Sequence, residues 1–253
     1  MIKVIKITAV PLLVLALIGV LIAGIAAAPP TSTTSKGELV HLVSVYYAKP
    51  DVPPGLTKKD EEPTPADNSG YALIGLELTA TATYVVNLEG APVGAVAEIQ
   101  EAFAAWDSVT SMALFNYGGD SVLRGWGFDG ENTVSWVGIV PRDIVAVAHI
   151  WALGDGDENG LLDIVEFDIT FNALHKWGID PDDEGPDRLK REFDVQNVAT
   201  HEVGHVLGLD DLYEEQYREL TMYGYTSKGE TSKISLEQGD IDGAQFLYGA
   251  PAA

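Results

Sequence analysis

Apolar residues along this chain fall into blocks of two different periods, and the alternation between them predicts a domain of mixed α and β elements. Residues 76–88 (LELTATATYVVNL) are rich in β-branched side chains and predict a strand. Residues 92–106 place Val96, Ile99, Phe103 and Trp106 at helical spacing, and Pro92 suits a first helical turn. Four further strands are predicted over residues 111–117, 133–140, 144–153 and 164–171, separated by turns of glycine, aspartate and proline. A second helix is predicted over residues 194–209, with Gly208 near its end. A third is predicted over 236–248, where Ser235 and Gln238 have the look of a capping box.

Upstream of this block, residues 38–47 have strand-like apolar character between two polar stretches. Residues 31–36 are small and polar, and residues 49–70 hold five of the 13 prolines among charged side chains, so both read as linker or surface loop. At the start, Lys3 and Lys6 precede an uncharged apolar stretch over 7–28 that ends in Ala26-Ala27-Ala28, the layout of a signal peptide for export. The same stretch is long enough to cross a membrane, so a retained N-terminal anchor is the alternative. The expected organisation is a signal peptide or anchor over 1–28, a linker or short propeptide over 29–70, and one folded domain over 71–250.

Composition narrows the function. With 46% hydrophobic and 21% charged residues, the chain can bury a sizeable core. It has no cysteine, so an exported form must be stabilised by packing, ion networks or bound metal, and a cysteine-thiolate latency switch is excluded. A formal charge of -23 with only 15 Lys and Arg argues against binding nucleic acid or an anionic membrane surface. Membrane contact is expected only through the N-terminal anchor.

The strongest chemical signal is His201-Glu202-Val203-Gly204-His205-Val206-Leu207-Gly208-Leu209-Asp210-Asp211. His201 and His205, four residues apart in the second predicted helix, project from one face and can ligate a single zinc ion. Glu202 lies about 100° further round the helix, where it can act as a general base without being a ligand. Hydrolytic chemistry wants three protein ligands and an open fourth position. Gly208 can take positive φ and turn the chain back under the metal, and Asp211, three residues beyond, offers a carboxylate oxygen.

A second candidate metal site lies in the acidic stretch Asp155, Asp157, Asn159, Gly160, Asp163 and Glu166, which satisfies the spacing of an EF-hand calcium loop. Its flanks read as strands, so it is expected as a loop within a β-hairpin. Calcium there would be structural, adding stability by mass action. His41, His149 and His175 have no ligand-spaced partners in sequence and are expected to be packing or surface residues.

The zinc motif resembles that of the metzincin metalloproteases, HExxHxxGxx followed by a third ligand that is usually histidine. Here that position is Asp211, as in snapalysin-like proteases, with Asp210 the competing candidate on spacing. Leu220-Thr221-Met222-Tyr223-Gly224-Tyr225 resembles the metzincin Met-turn, which would put Met222 beneath the ligands in a packing role. Residues 235–249 are similar to the last helix of matrixins, and residues 167–172 (FDITFN) to their edge-strand segment.

This resemblance implies an α+β zincin domain: a twisted, mixed five-stranded sheet, a zinc helix and a smaller C-terminal helical lobe, with the active site in the cleft between them. It implies a secreted or surface-anchored, monomeric zinc endopeptidase that holds a protein or peptide substrate antiparallel against an exposed sheet edge. The zinc ligands would be His201, His205 and Asp211, with Glu202 as the base. The alternative is a calcium-binding surface or adhesion protein with an inactive zincin domain, against which the intact Glu202 counts.

Overall fold

A computed structural model describes residues 3–6, 38–49, 70–179 and 191–252. The expected signal or anchor stretch over 7–28 and most of the predicted linker lie outside these residues. Among the described residues no helix is long and apolar enough to cross a membrane.

The strands, in chain order, are β1 (Lys3–Lys6), β2 (Val40–Ala48), β3 (Leu76–Glu77), β4 (Ala82–Val86), β5 (Phe115–Asp120), β6 (Asn132–Val137), β7 (Ile144–Leu153), β8 (Leu162–Asn172), β9 (Trp177–Gly178), β10 (Phe193–Asp194) and β11 (Tyr225–Thr226). The helices are α1 (Ala95–Asp107), α2 (Val195–Leu207) and α3 (Gln238–Tyr248). The main sheet runs β1-β2-β7-β8-β6-β4-β5, with β11 also paired to β2 and β3 to β8. Pairs β4/β5, β4/β6 and β6/β8 are parallel, whereas β7 is antiparallel to both β8 and β2.

The fold is therefore α+β, but the sheet departs from the expected five strands. Strands β4 to β8 account for those five; β1, β2, β3 and β11 bring the described sheet to nine. The predicted strand over 76–88 is split in two because the Leu78 N–H leaves the ladder and donates to the Tyr248 hydroxyl at 2.9 Å. The strand expected over 111–117 starts later, at Phe115, since the Leu114 N–H is taken by the Asp107 carboxylate at 2.7 Å. The capping box of α3 is formed by Glu237 and Asp240 rather than Ser235 and Gln238.

Both α1 and α2 pack against the sheet. Trp106, fully buried at the end of α1, donates its indole N–H to the Thr200 carbonyl of α2 at 2.8 Å, so the two helices share a polar contact inside an apolar interface. Phe103 stacks on Tyr84 and meets Phe115 edge-on, joining α1 to β4 and β5. Beyond Leu209 the chain builds a smaller lobe with its own cluster of Leu212, Tyr217 and Tyr223, closed by α3.

Candidate active site

Local signals explain how α2 begins and ends. The Asp194 side chain caps the first turn by accepting the Asn197 N–H at 2.7 Å. Gly208 ends the helix at φ 106°, and a Cβ there would also run into the Leu76 carbonyl, so two independent constraints select glycine. The reversal sends the chain through Leu209 and Asp210 to Asp211.

That reversal brings His201, His205 and Asp211 together, with all three buried. The two Nε2 atoms are 3.1 Å apart, and Asp211 Oδ1 lies 3.3 Å from His201 Nε2 and 3.6 Å from His205 Nε2. A tetrahedral ion with bonds of about 2.0–2.2 Å needs ligand atoms separated by about 3.3–3.6 Å, so the triangle fits zinc closely. Tautomers agree: His201 Nδ1 faces the Thr221 carbonyl at 2.7 Å and His205 Nδ1 faces the Leu209 carbonyl at 2.9 Å. A carbonyl can only accept, so each Nδ1 carries the proton and each Nε2 presents a lone pair. Two lone pairs and a carboxylate oxygen converging in a dry site call for a cation.

Asp211 is aimed by a residue that the sequence did not single out. The Tyr213 hydroxyl donates to Oδ2 at 2.9 Å, leaving Oδ1, which makes no hydrogen bond, toward the histidines. Asp210 stands apart from this group: its Oδ1 accepts the Asp211 N–H at 2.7 Å and so braces the turn. Glu202 is fully buried and neither carboxylate oxygen has a hydrogen-bond partner. Burial first, and then the Asp211 carboxylate, push the Glu202 carboxyl well above the usual range.

The turn that carries Met222 lies directly under α2. Met222 is buried, and a Cβ on Gly204 would collide with its sulfur and with Trp106, so the helix needs glycine where the turn approaches. Asp240, also missed in the sequence, anchors the turn by accepting the Thr221 N–H at 2.9 Å and the Met222 N–H at 3.1 Å. Gly224 makes room for the Tyr213 ring. Only the nearness of Tyr213 to Asp211 was a usable sequence signal.

The acidic stretch is only partly assembled as expected. Asp157 and Asp163 come together with Glu77 of β3, within 4.8 Å of one another. Asp155 instead closes its own loop by accepting the Asn159 and Gly160 N–H groups, and the Asn159 amide donates to Glu77. Glu166 is turned elsewhere, holding the Asp129 and Gly130 N–H groups at 2.7 and 2.6 Å. Three residues along an extended strand span about 10 Å, against about 4.5 Å on a helix, so Asp163 and Glu166 in β8 cannot share one ion. His41 and His149 meet across β2 and β7, Nε2 to Nδ1 at 3.2 Å, between the rings of Trp126 and Trp151; burial, then His41, lowers His149 to about 3. His175 lies edge-on to Phe193, with its Nε2 at the Ile144 carbonyl.

Comparison with known families matches residues 82–249, more than half of the chain, to Matrixin. The chain belongs to the matrixins. Among curated relatives, Metalloendoproteinase 4-MMP of Arabidopsis thaliana is 34% identical over 104 residues, covering 38% of this chain and 28% of its own. Stromelysin-1 of Mus musculus is 28% identical over 167 residues, covering 61% of this chain and 28% of its own. Metalloendoproteinase 1 of Glycine max is 42% identical over 60 residues, or 22% of this chain and 17% of its own. This matrixin thus spans just over a quarter of the length of the first two relatives, and its metal site is His-His-Asp.

Proposed function

We propose that this matrixin is a zinc endopeptidase that acts outside the cell, as a monomer, on protein or peptide substrates. The observation that carries the reading is the triangle of His201 Nε2, His205 Nε2 and Asp211 Oδ1 at tetrahedral spacing, with Glu202 next to it on the helix. Zinc, when bound, lowers the pKa of water and polarises the carbonyl to be attacked. Glu202 takes the proton of the attacking water and passes it to the leaving amine, a role suited to a carboxyl whose pKa is raised by burial and by the Asp211 carboxylate. Thr221 and Leu209 fix the imidazoles through their Nδ1 protons, and Tyr213 fixes Asp211, so the site is oriented before substrate arrives. Hydrolysis of an unfolded protein should stop on chelation and return with added zinc; hydrolysis indifferent to chelation would sink the proposal.

We propose that the calcium expected at the acidic stretch is taken by Asp157 and Asp163 together with Glu77, a reading supported by the convergence of these carboxylates from the acidic loop, β8 and β3. Bound there, it would tie the loop to the sheet in a chain that has no disulfide.

A further inference from the structure

Successive residues of β7 point to opposite faces of the sheet, so Ala146 and Ile150 join the core beneath the helices while His149 and Trp151 face away from it. On that far face five rings run in sequence: Trp126, His149, His41, Trp151 and Phe128. Neighbouring centroids are 4.7, 5.3, 4.5 and 6.2 Å apart. The ends of the run, Trp126 and Phe128, are 51% and 55% exposed.

Both ends belong to one loop, and the sheet beneath holds that loop rigidly. The Gly125 N–H donates to the Ser135 hydroxyl at 3.0 Å, the Gly127 N–H to Asp168 at 3.0 Å and the Asp129 N–H to Glu166 at 2.7 Å. Alternate N–H groups are thus turned inward, and the residues between them, Trp126 and Phe128, are left facing solvent. Asp168 and Glu166 are both buried, and burying a carboxylate is costly unless it accepts bonds such as these. The Trp126 ring lies 5° from the plane of His149, so one of its faces is backed and its exposure belongs to the other. An apolar surface fixed in this way is suited to contact with a ligand.

We propose that Trp126 and Phe128 form a carbohydrate-binding platform, on which Trp126 stacks against the apolar face of a pyranose in a neutral, β-linked polysaccharide whose hydroxyls reach Asp129 and the cavity beside the ring. The site is separate from the metal centre and does not rest on the protease reading. A β-linked pyranose turns its axial C–H groups to one flat face, and the electron-rich face of an indole attracts them. Beside the ring lies a cavity of about 60 Å³, lined by Arg124, Asp129 and Thr133 among others. The buried Thr133 hydroxyl has no hydrogen-bond partner among the described residues. Asp129 uses Oδ1 to accept the Glu131 N–H at 3.1 Å, while its Oδ2 lies beside Gly127, 3.8 Å from where a Cβ would be. Sugar hydroxyls can satisfy such groups, whereas an acyl chain or a wholly apolar partner would leave them stranded.

Charge narrows the class of sugar. Asp129, Glu166 and Asp168 surround the loop in a chain of formal charge -23, and Arg124 is taken by Glu89 at 2.5 Å and by the Trp136 carbonyl at 2.8 Å. Sulfated and uronic polymers are repelled here, and a neutral one is not. Because α2 packs on the opposite face of the sheet, a polysaccharide can fill the platform without covering the metal ligands.

The test titrates the full-length protein, with and without a zinc chelator, with hexasaccharides of β-1,4-linked glucose, N-acetylglucosamine and xylose, read by calorimetry. At least one should bind, equally in both conditions. Trp126→Ala should weaken that binding at least about tenfold, and Phe128→Ala and Asp129→Asn about threefold or more. Trp126→Phe keeps a ring on His149 and guards against misfolding; it should bind within about threefold of the unaltered protein. Binding of none of the three sugars, or binding that Trp126→Ala leaves unchanged, overturns the inference. Phosphatidylcholine vesicles are the competing arm: attachment to them that Trp126→Ala abolishes, in protein that binds no sugar, would make the loop a membrane contact and overturn it as well.

Discussion

His201 Nδ1 lies 2.7 Å from the carbonyl oxygen of Thr221, so the imidazole that faces the metal position on one side is held on the other by the turn carrying Met222. The adjacent N–H groups of Thr221 and Met222 are held by Asp240. Metal helix, turn and final helix therefore form one connected support. A change in any of them reaches the metal through orientation rather than through direct contact.

The ligand set can be dissected by zinc affinity. Asp211→Ala should lose stoichiometric zinc, while Asp210→Ala should keep it at reduced stability. Tyr213→Phe removes only the donor that aims Asp211 and should weaken zinc about 10- to 100-fold, as loss of an outer hydrogen bond to a ligand does. Competition against a chromogenic chelator reads all three. Zinc retained by Asp211→Ala and lost by Asp210→Ala would reverse the assignment.

Gly204 and Met222 should be energetically coupled. Gly204→Ala drives a methyl into the Met222 sulfur and Trp106 and should cost about 1–3 kcal/mol; Met222→Ala leaves a cavity and should cost about 2–5 kcal/mol. In the double variant the methyl enters the space left by the thioether, so the combined loss should fall short of the sum by at least about 0.5 kcal/mol. Urea unfolding of the four proteins measures the coupling, and simple additivity would mean that the two residues do not share this space.

Asp168 makes stability depend on pH. Burial raises its carboxyl to about 7, although Gly127 and Thr133 donate N–H groups to it. Its folded pKa thus lies above the unfolded value of about 3.9, so the folded state holds a proton that the unfolded chain has released. The contribution of this group is fully present below about pH 4 and is lost as pH rises to about 7. The Tm difference between wild type and Asp168→Asn should therefore change across pH 4 to 7 and level off above it; a difference constant with pH would contradict the assignment.

Millimolar calcium should raise Tm, and Glu77→Gln and Asp163→Asn should each remove most of the increase, while Glu166→Gln should lower Tm equally with and without calcium. An increase abolished only by Glu166→Gln would restore the loop spacing expected from sequence.

What the sequence made legible was local. Asp194 and Gly208 mark the ends of α2 because capping and positive φ act within a few residues, and the spacing of His201, His205 and Asp211 specifies a site that one helix and one turn can build. The pairing of residues 38–47 was not legible. Their strand character could be read, but their partners are β7, about a hundred residues later, and β11, later still, and no local preference encodes such pairing. In the acidic stretch the spacing and the strand flanks were legible, but not the partners: Asp163 meets Glu77 whereas Glu166, three residues on along the same strand, holds the Asp129 and Gly130 N–H groups. Tyr213, Gly224 and Asp240 were missed because each acts through a neighbour that only the fold supplies.

The most direct test of the central claim is the hydrolysis of an unfolded protein by the zinc-loaded chain and its Glu202→Gln variant, each assayed for zinc content. Removing the base without removing a ligand should leave zinc at one per chain and lower the rate by at least about 100-fold. Equal rates at equal zinc content would show that Glu202 is not the base and would contradict the account.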